Sequence, residues 1–370
     1  METCREEHTR CKKLLTNPHA PFIPRRLLKI DVPLGANIRI VESDKEFQST
    51  VTGLLYATLS HAWGNHKIHK FDTLTKDNQK LFEASGIEWS RLPKTFQEAI
   101  LVAKHLGLSW LWIDSLCIIQ QGDGGTDWTF QAPLMHQVYR SALCNIAAAD
   151  SCNATMGLFR DRQRSSFLPA HFRTPARTKV YTNRNWSVFR KDWWESELLR
   201  LYLYSRAWVF QERMLAARIV HYGRNQVFWD CAELTASEVF PQGLPYALDG
   251  RAASDRHWRM RLHERKLFEA HQTWGRGDDS IENFWQLAVG NYTRCNLTKW
   301  KDKLKALEGV AVLVEEATGD KYHGGLWLIH LVEQLAWRVA TPSQRPAPDP
   351  KENDIHRFPT WSWASIRGMI

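Results

Sequence analysis

The chain has 370 residues, 44% hydrophobic and 24% charged, which provides a substantial core and excludes a disordered polymer. Its net charge of +9 is spread out, densest over residues 160–191. No RNP, helix-turn-helix or zinc-finger spacing accompanies that stretch, so it reads as a solvated basic loop and nucleic acid is not the expected partner.

The N-terminal stretch METCREEHTRCKK is charged and lacks an apolar signal segment, and no run approaches the ~20 apolar residues of a membrane span. Seven cysteines, at 4, 11, 117, 144, 152, 231 and 295, follow no disulfide framework, so reduced thiols and a cytoplasmic location are expected. Cys4, His8 and Cys11 are close enough in sequence to share a metal, but no fourth ligand is evident beside them. Neither a metal nor a cofactor is therefore expected.

Residues 20–42 hold two short apolar runs around a Pro/Gly turn and predict a β-ribbon. LLYATLSHAWG (54–64) predicts a strand ending at Ser60 and His61. In RLPKTFQEAILVAKHLGLSWLWIDSLCIIQ (91–120), Pro93 suits a helix start, Phe96, Ile100 and Ala103 mark a buried face, and Gly107 closes the helix. A strand over 109–113 then ends at Asp114. DWTFQAPLMHQVYRSA (127–142) predicts an amphipathic helix with Asp127 as N-cap and Gln131 in its opening turns. LCNIAAA (143–149) predicts a third buried strand.

Strand, helix, strand, helix, strand implies a parallel sheet wound in βαβ units, with a ligand crevice outside the strands' carboxyl ends. Residues 203–234 predict a helix, a turn at Tyr222–Gly223 and a strand through 227–229. Residues 255–340 read as mostly helical, most strongly 324–339. A Pro-rich loop (341–354) precedes a predicted strand around Trp361 and Trp363. The segments expected are an N-terminal extension and ribbon (1–45), an α/β core (46–160) and a helical, Trp-rich elaboration (161–370). The eighteen tryptophans serve either a large core or aromatic cavity walls.

YATLSHAWG, LPKTFQEAILVAKHLGLSWLWIDSLCIIQ, DWTFQAPLMHQVYRSA, NIAAADSCNATMGLF and SRAWVFQERMLAARIVHYG together resemble the fungal heterokaryon-incompatibility (HET) domain family. Weaker echoes run on to TWSWASIRG, so the resemblance covers most of residues 22–368. It implies a TIR-like fold and a place in non-self recognition or programmed cell death. Other members of the family act in biosynthesis, including cycloaddition on terpenoid scaffolds. Some TIR domains cleave NAD with a glutamate on the helix matching 127–142, and the family usually has Glu in that DWxxE position. Here it is Gln131, and an amide neither accepts a proton as a general base nor stabilises cationic charge as a carboxylate does. His61 stands where the family more often has Tyr.

The donors expected to do chemistry are His61, Gln131 and Arg206, with Trp63, Asp114, Ser115, Trp208, Gln211 and Trp229 lining the substrate site. Each has a structural alternative. His61 could be a satisfied structural histidine, Asp114 a turn cap, and Arg206, Glu212 and Arg213 one structural ion network. Cys117, between Leu116 and Ile118, reads as a small buried residue. No GxSxG, HExxH, P-loop or GxGxxG pattern is present. The expected function is a cyclase of specialised metabolism, Diels-Alderase-like, that holds a small hydrophobic molecule in a reactive shape. Two alternatives stand beside it, a cell-death signalling module and an NAD-cleaving enzyme whose carboxylate comes from Glu212 or Glu233.

Overall fold

The computed structural model describes residues 1–15, 22–47, 54–65, 67–163, 165, 167–176, 181–263, 280–340 and 358–370. Two short helices, α1 (Glu2–Glu6) and α2 (Thr9–Leu15), open the chain. The predicted ribbon follows as β1 (Arg26–Lys29) and β2 (Arg39–Glu42), antiparallel with Arg26 opposite Glu42. After α3 (Ser43–Glu46) come β3 (Ala57–Ser60), α4 (Gln79–Ala84) and α5 (Lys94–His105). β4 (Trp110–Ile113) runs straight into α6 (Asp114–Cys117).

The predicted 127–142 helix is two helices, α7 (Thr126–Gln131) and α8 (Met135–Ser141), with a 3₁₀ turn at Ala132–Leu134 between them. Pro133 lacks the N–H that a continuous helix would need. Gly125, at φ 80°, is the N-cap residue in place of Asp127. Asp123 takes over the capping chemistry, accepting from the N–H groups of Gly125 and Asp127. Asp127 instead turns inward to Arg26, at 2.8 Å.

β5 (Cys144–Ala147) completes the predicted strand set. Part of the basic stretch forms an exposed hairpin, β6 (Ala170–Arg173) paired with β7 (Asn185–Val188), where a solvated loop was expected. Beyond it lie α9 (Ala207–Leu215), β8 (Arg218–Tyr222), β9 (Val227–Cys231), β10 (Thr235–Ser237), α10 (Tyr246–His263), α11 (Ile281–Tyr292) and α12 (Lys305–Thr318).

Eight strands form one sheet in the order β10-β9-β8-β5-β3-β4-β1-β2. Its centre, β4-β3-β5-β8, is parallel, and an antiparallel ribbon flanks each side. The sheet is mixed rather than purely parallel. Every residue of β3 and β5 is buried, as expected of parallel strands covered on both faces. β3 is the first parallel strand. β4 adds on one side of it, and β5 and β8 add on the other. Winding direction thus reverses between β3 and β5, and such a reversal opens a crevice at the strands' carboxyl ends. Adjacent residues of a strand face opposite sides. Ser60 accordingly meets Glu212 of α9, whereas the next residue, His61, packs on Phe96 of α5.

Three expectations change. Residues 218–222, read as a helix continuing through ARIVHYG, form β8. Residues 324–339 do not form a long helix, because Gly324 and Gly325 take positive φ and reverse the chain into a small hairpin; only Leu331–Gln334 is helical there. Residues 359–368 carry a 3₁₀ turn at Trp363–Ser365 rather than a strand. Trp363 is buried and donates its indole N–H to the Gly325 carbonyl, while Trp361 stays 39% exposed. The Pro-rich 341–354 lies outside the described residues.

One apolar core runs from Leu27 to Ala364, so the N-terminal ribbon, the α/β segment and the second half share both sheet and core. Trp112, Trp193, Trp194, Trp258, Trp285, Trp327 and Trp363 are buried, which puts many of the tryptophans to structural use. No described helix is long and apolar enough to cross a membrane.

Candidate active site at the strand ends

At the crevice Ser60, the last residue of β3, donates its hydroxyl to Glu212 Oε2 and accepts from Asn145 Nδ2 at 2.9 Å. Thr58 Oγ1 holds Asn145 Oδ1 at 3.0 Å, which fixes the amide's orientation. Glu212 is 7% exposed. Burial pushes its carboxyl up to about 7, and the charge of Asp114 pushes the same way, against Ser60, Arg206 and Tyr139. A carboxyl so placed exchanges a proton near neutral pH.

On the other face of β3, His61 is 5% exposed. Its ring meets Phe96 edge-on at 4.8 Å and lies 15° from parallel to Trp63. Burial and the nearby Arg206 guanidinium hold it down to about 3, so it is neutral at physiological pH. Nδ1 lies 3.7 Å from Asp114 Oδ1, and Nε2 is buried without a hydrogen-bond partner among the described residues. Buried polar atoms are nearly always satisfied, so an orphaned one beside a crevice marks a position for a water or a ligand group.

Asp114, at the end of β4, accepts from Trp63 Nε1 at 3.0 Å and from the Ser115 N–H at 2.7 Å. Its side chain is 29% exposed. Loss of solvent lifts its carboxyl to about 6, the Arg206 guanidinium opposing. Arg206 enters at the N-cap of α9 and donates to the His61 carbonyl at 2.8 Å. The sheet reversal therefore brings together two carboxyls with raised pKa values, one neutral imidazole, one guanidinium and one hydroxyl.

His61, Trp63, Asp114 and Arg206 meet as expected. Ser115 adjoins them, and its buried hydroxyl has no partner among the described residues. Trp208 packs edge-on against Trp128 of α7 at 6.1 Å rather than against His61. Gln131 is buried and its Nε2 has no partner among the described residues; the same holds for Gln211. Gly309 of α12 allows the close approach at Gln211, since a Cβ there would lie 2.6 Å from Gln211 Oε1 and 2.5 Å from the His136 Cβ.

Other candidates fall elsewhere. Trp229 lies on β9 against Cys4, Cys11 and Cys231, away from these contacts. Arg213 pairs with buried Asp255 at 2.6 Å, a structural ion pair. Cys117 is buried and its thiol is pushed up to about 12, so it is no nucleophile. Glu233 is exposed and accepts from the Arg10 N–H. Ser60 was marked in the sequence as a strand end at the crevice, but neither it nor Tyr139 and Asn145 as a site residue. The hint for Asn145 was a polar residue inside an otherwise apolar strand.

No curated protein and no solved structure matches the chain. The family model described as heterokaryon incompatibility protein (HET) matches residues 56–212, from Tyr56 just before β3 to Glu212 itself. Over that span, which carries each side chain of the strand-end cluster, the chain matches the heterokaryon-incompatibility family.

Proposed function

We propose that the strand-end crevice is the active site of a small-molecule enzyme that promotes ring closure of a largely apolar substrate, with Glu212 as its proton donor and acceptor. The observation that carries this reading is a buried carboxyl at about 7 hydrogen-bonded to Ser60, beside a second carboxyl at about 6. An acid of that strength can protonate a carbonyl and take a proton back near neutrality. Asp114, partly exposed, is the carboxyl at the mouth. Neutral His61 offers Nε2 to a substrate oxygen without bringing charge into the crevice. Arg206 stabilises negative charge developing there. Trp63 supplies an apolar wall that also anchors Asp114.

The same carboxyl supports one other reading, cleavage of NAD, because Glu212 places a carboxylic acid in the crevice where α7 has only Gln131. Its raised pKa weighs against that reading, since about half of the carboxyl holds its proton near neutrality and that form does little for a cationic transition state. The signalling reading draws on family resemblance and on no particular residue of the cluster.

The test incubates purified protein with fractionated apolar metabolites and, separately, with NAD. Ring closure within one molecule leaves its mass unchanged, so the expected product has the mass of its substrate and a new retention time. Glu212→Gln is expected to slow its formation by about 10²-fold or more. Nicotinamide release that disappears in Glu212→Gln would replace this reading with NAD cleavage.

A further inference from the structure

The N-terminal cysteines gain from the fold the partner they lack in sequence. Cys4 on α1, His8 between the helices, Cys11 on α2 and Cys231 at the end of β9 converge, with all four candidate ligand atoms within 4.8 Å of one another. His8 Nδ1 lies 3.5 Å from Cys231 Sγ and 3.8 Å from Cys11 Sγ. A tetrahedral zinc ion with Zn–S of about 2.3 Å and Zn–N of about 2.0 Å has S–N edges of about 3.5 Å and S–S edges of about 3.8 Å. The two His8 separations lie at or within about 0.3 Å of those edges, and the 4.8 Å bound on the others asks for about 1 Å of closing at most.

From this juxtaposition we propose that Cys4, His8, Cys11 and Cys231 form a closed structural zinc site that fastens the N-terminal helices to the β9–β10 ribbon. Three thiols and one imidazole are a ligand set suited to zinc, and four protein ligands leave no open position for chemistry.

The surroundings fit a metal. Cys4 is 2% and Cys11 0% exposed, yet α1 buries only Cys4, and the apolar contacts of the pair of helices add little beyond half-buried Leu14. Helices of five and seven residues are too short to be stable alone. Something other than an apolar core must hold them, and all seven cysteines are free thiols. The Leu234 N–H points at Cys231 Sγ from 3.3 Å, an outer hydrogen bond of the kind that orients a thiolate ligand. Buried Arg218 donates to the carbonyls of Cys11 and Leu143 and has no carboxylate partner among the described residues. Three thiolates and one imidazole around Zn²⁺ carry net charge −1, which supplies its missing counter-charge.

The full chain, purified without chelator, is expected to retain about one zinc per molecule through gel filtration, released by an organomercurial. The same chain refolded with Co²⁺ alone is expected to show the intense visible bands of a tetrahedral thiolate complex. Cys4→Ser combined with Cys231→Ser is expected to lose the metal, while Cys152→Ser, at an exposed cysteine outside the cluster, retains it. Wild-type protein without stoichiometric zinc, a disulfide among these three cysteines, or full zinc retention in the double variant would each overturn the site. If the double variant does not fold, the wild-type zinc content and the cobalt spectrum still decide.

Discussion

The two edges of the sheet are built by opposite means. At one, β1 and β2 bury Leu27, Leu28, Ile40 and Val41, and several ion pairs add to them, of which Arg26–Asp127 is the buried one. Arg26, 1% exposed, forks onto Asp127, which also accepts from the Ile119 N–H. At the other, β9 and β10 carry polar groups inward. Asp230 is bonded by Arg259 and Thr235, and Thr235 in turn by Arg256. Over that edge sit helices whose buried side chains are cysteines. The first edge combines area removed from water with one buried ion pair, whereas the second relies chiefly on directional bonds. They should therefore fail under different insults.

The sharpest way to break the comparison is Asp127→Ala, which takes from a buried guanidinium its hydrogen-bonded carboxylate and leaves it the Cys117 carbonyl and, at 4.0 Å, Glu42. It is expected to cost about 3–5 kcal/mol in urea unfolding. A loss below ~1 kcal/mol would mean that apolar packing alone holds that edge. Leu27→Ala, in the same ribbon, should cost about 2–5 kcal/mol through lost transfer energy and a cavity.

Between the edges, Glu212 sets a pH dependence. It releases its proton near its usual 4.5 when unfolded and at about 7 when folded. Below 4.5 both states keep the proton. As pH rises from there the unfolded state ionises first, so stability falls until about 7 and then levels off. The full penalty is roughly 3 kcal/mol. Glu212→Gln should remove that slope, and thermal unfolding from pH 4 to 8 compares the two; parallel curves would contradict the burial of this carboxyl. His61 works in the opposite sense over an overlapping range, so the difference between wild type and Glu212→Gln, not the wild-type curve alone, isolates the carboxyl. The imidazole's folded value near 3 means that stability is lost as pH falls below its usual 6.5.

At the polar edge, Leu14→Ala should cost no more than about 1 kcal/mol, because the side chain is only half buried. A larger loss would give the thiol-lined edge the apolar character of the other. Smallest of all, Phe172→Ser in the exposed β6–β7 hairpin should stay within about 0.5 kcal/mol by chemical denaturation.

The parallel core was legible because buried strands write themselves as short apolar runs: TLS, WLWI and CNIA stood out, and their ends located the crevice. β8 did not stand out, because Ala216 and Ala217 are its only separation from α9 and alanine continues a helix as readily as it ends one. The helical periodicity of 324–339 misled for a related reason, since two glycines with positive φ override a pattern that side chains alone suggest. His61, Asp114 and Arg206 were visible as polar residues at element ends. Their company was not. Asn145 lies inside a strand, and Cys231 is 227 residues from Cys4, so neither leaves a local signal.

The Ser60–Glu212 hydrogen bond joins residues 152 positions apart, and the Thr58–Asn145 bond beneath it spans 87. Loop closure on that scale comes late and slowly in folding. The matched family span stops at Glu212, yet β8, which covers β5 beside it, ends only at Tyr222. A chain still emerging from the ribosome thus carries β3, β4 and β5 with the outer edge of β5 unpaired until residue 222 is free. A fragment cut at the end of the matched span would carry the residues of the site without the strand that completes the sheet beside β5.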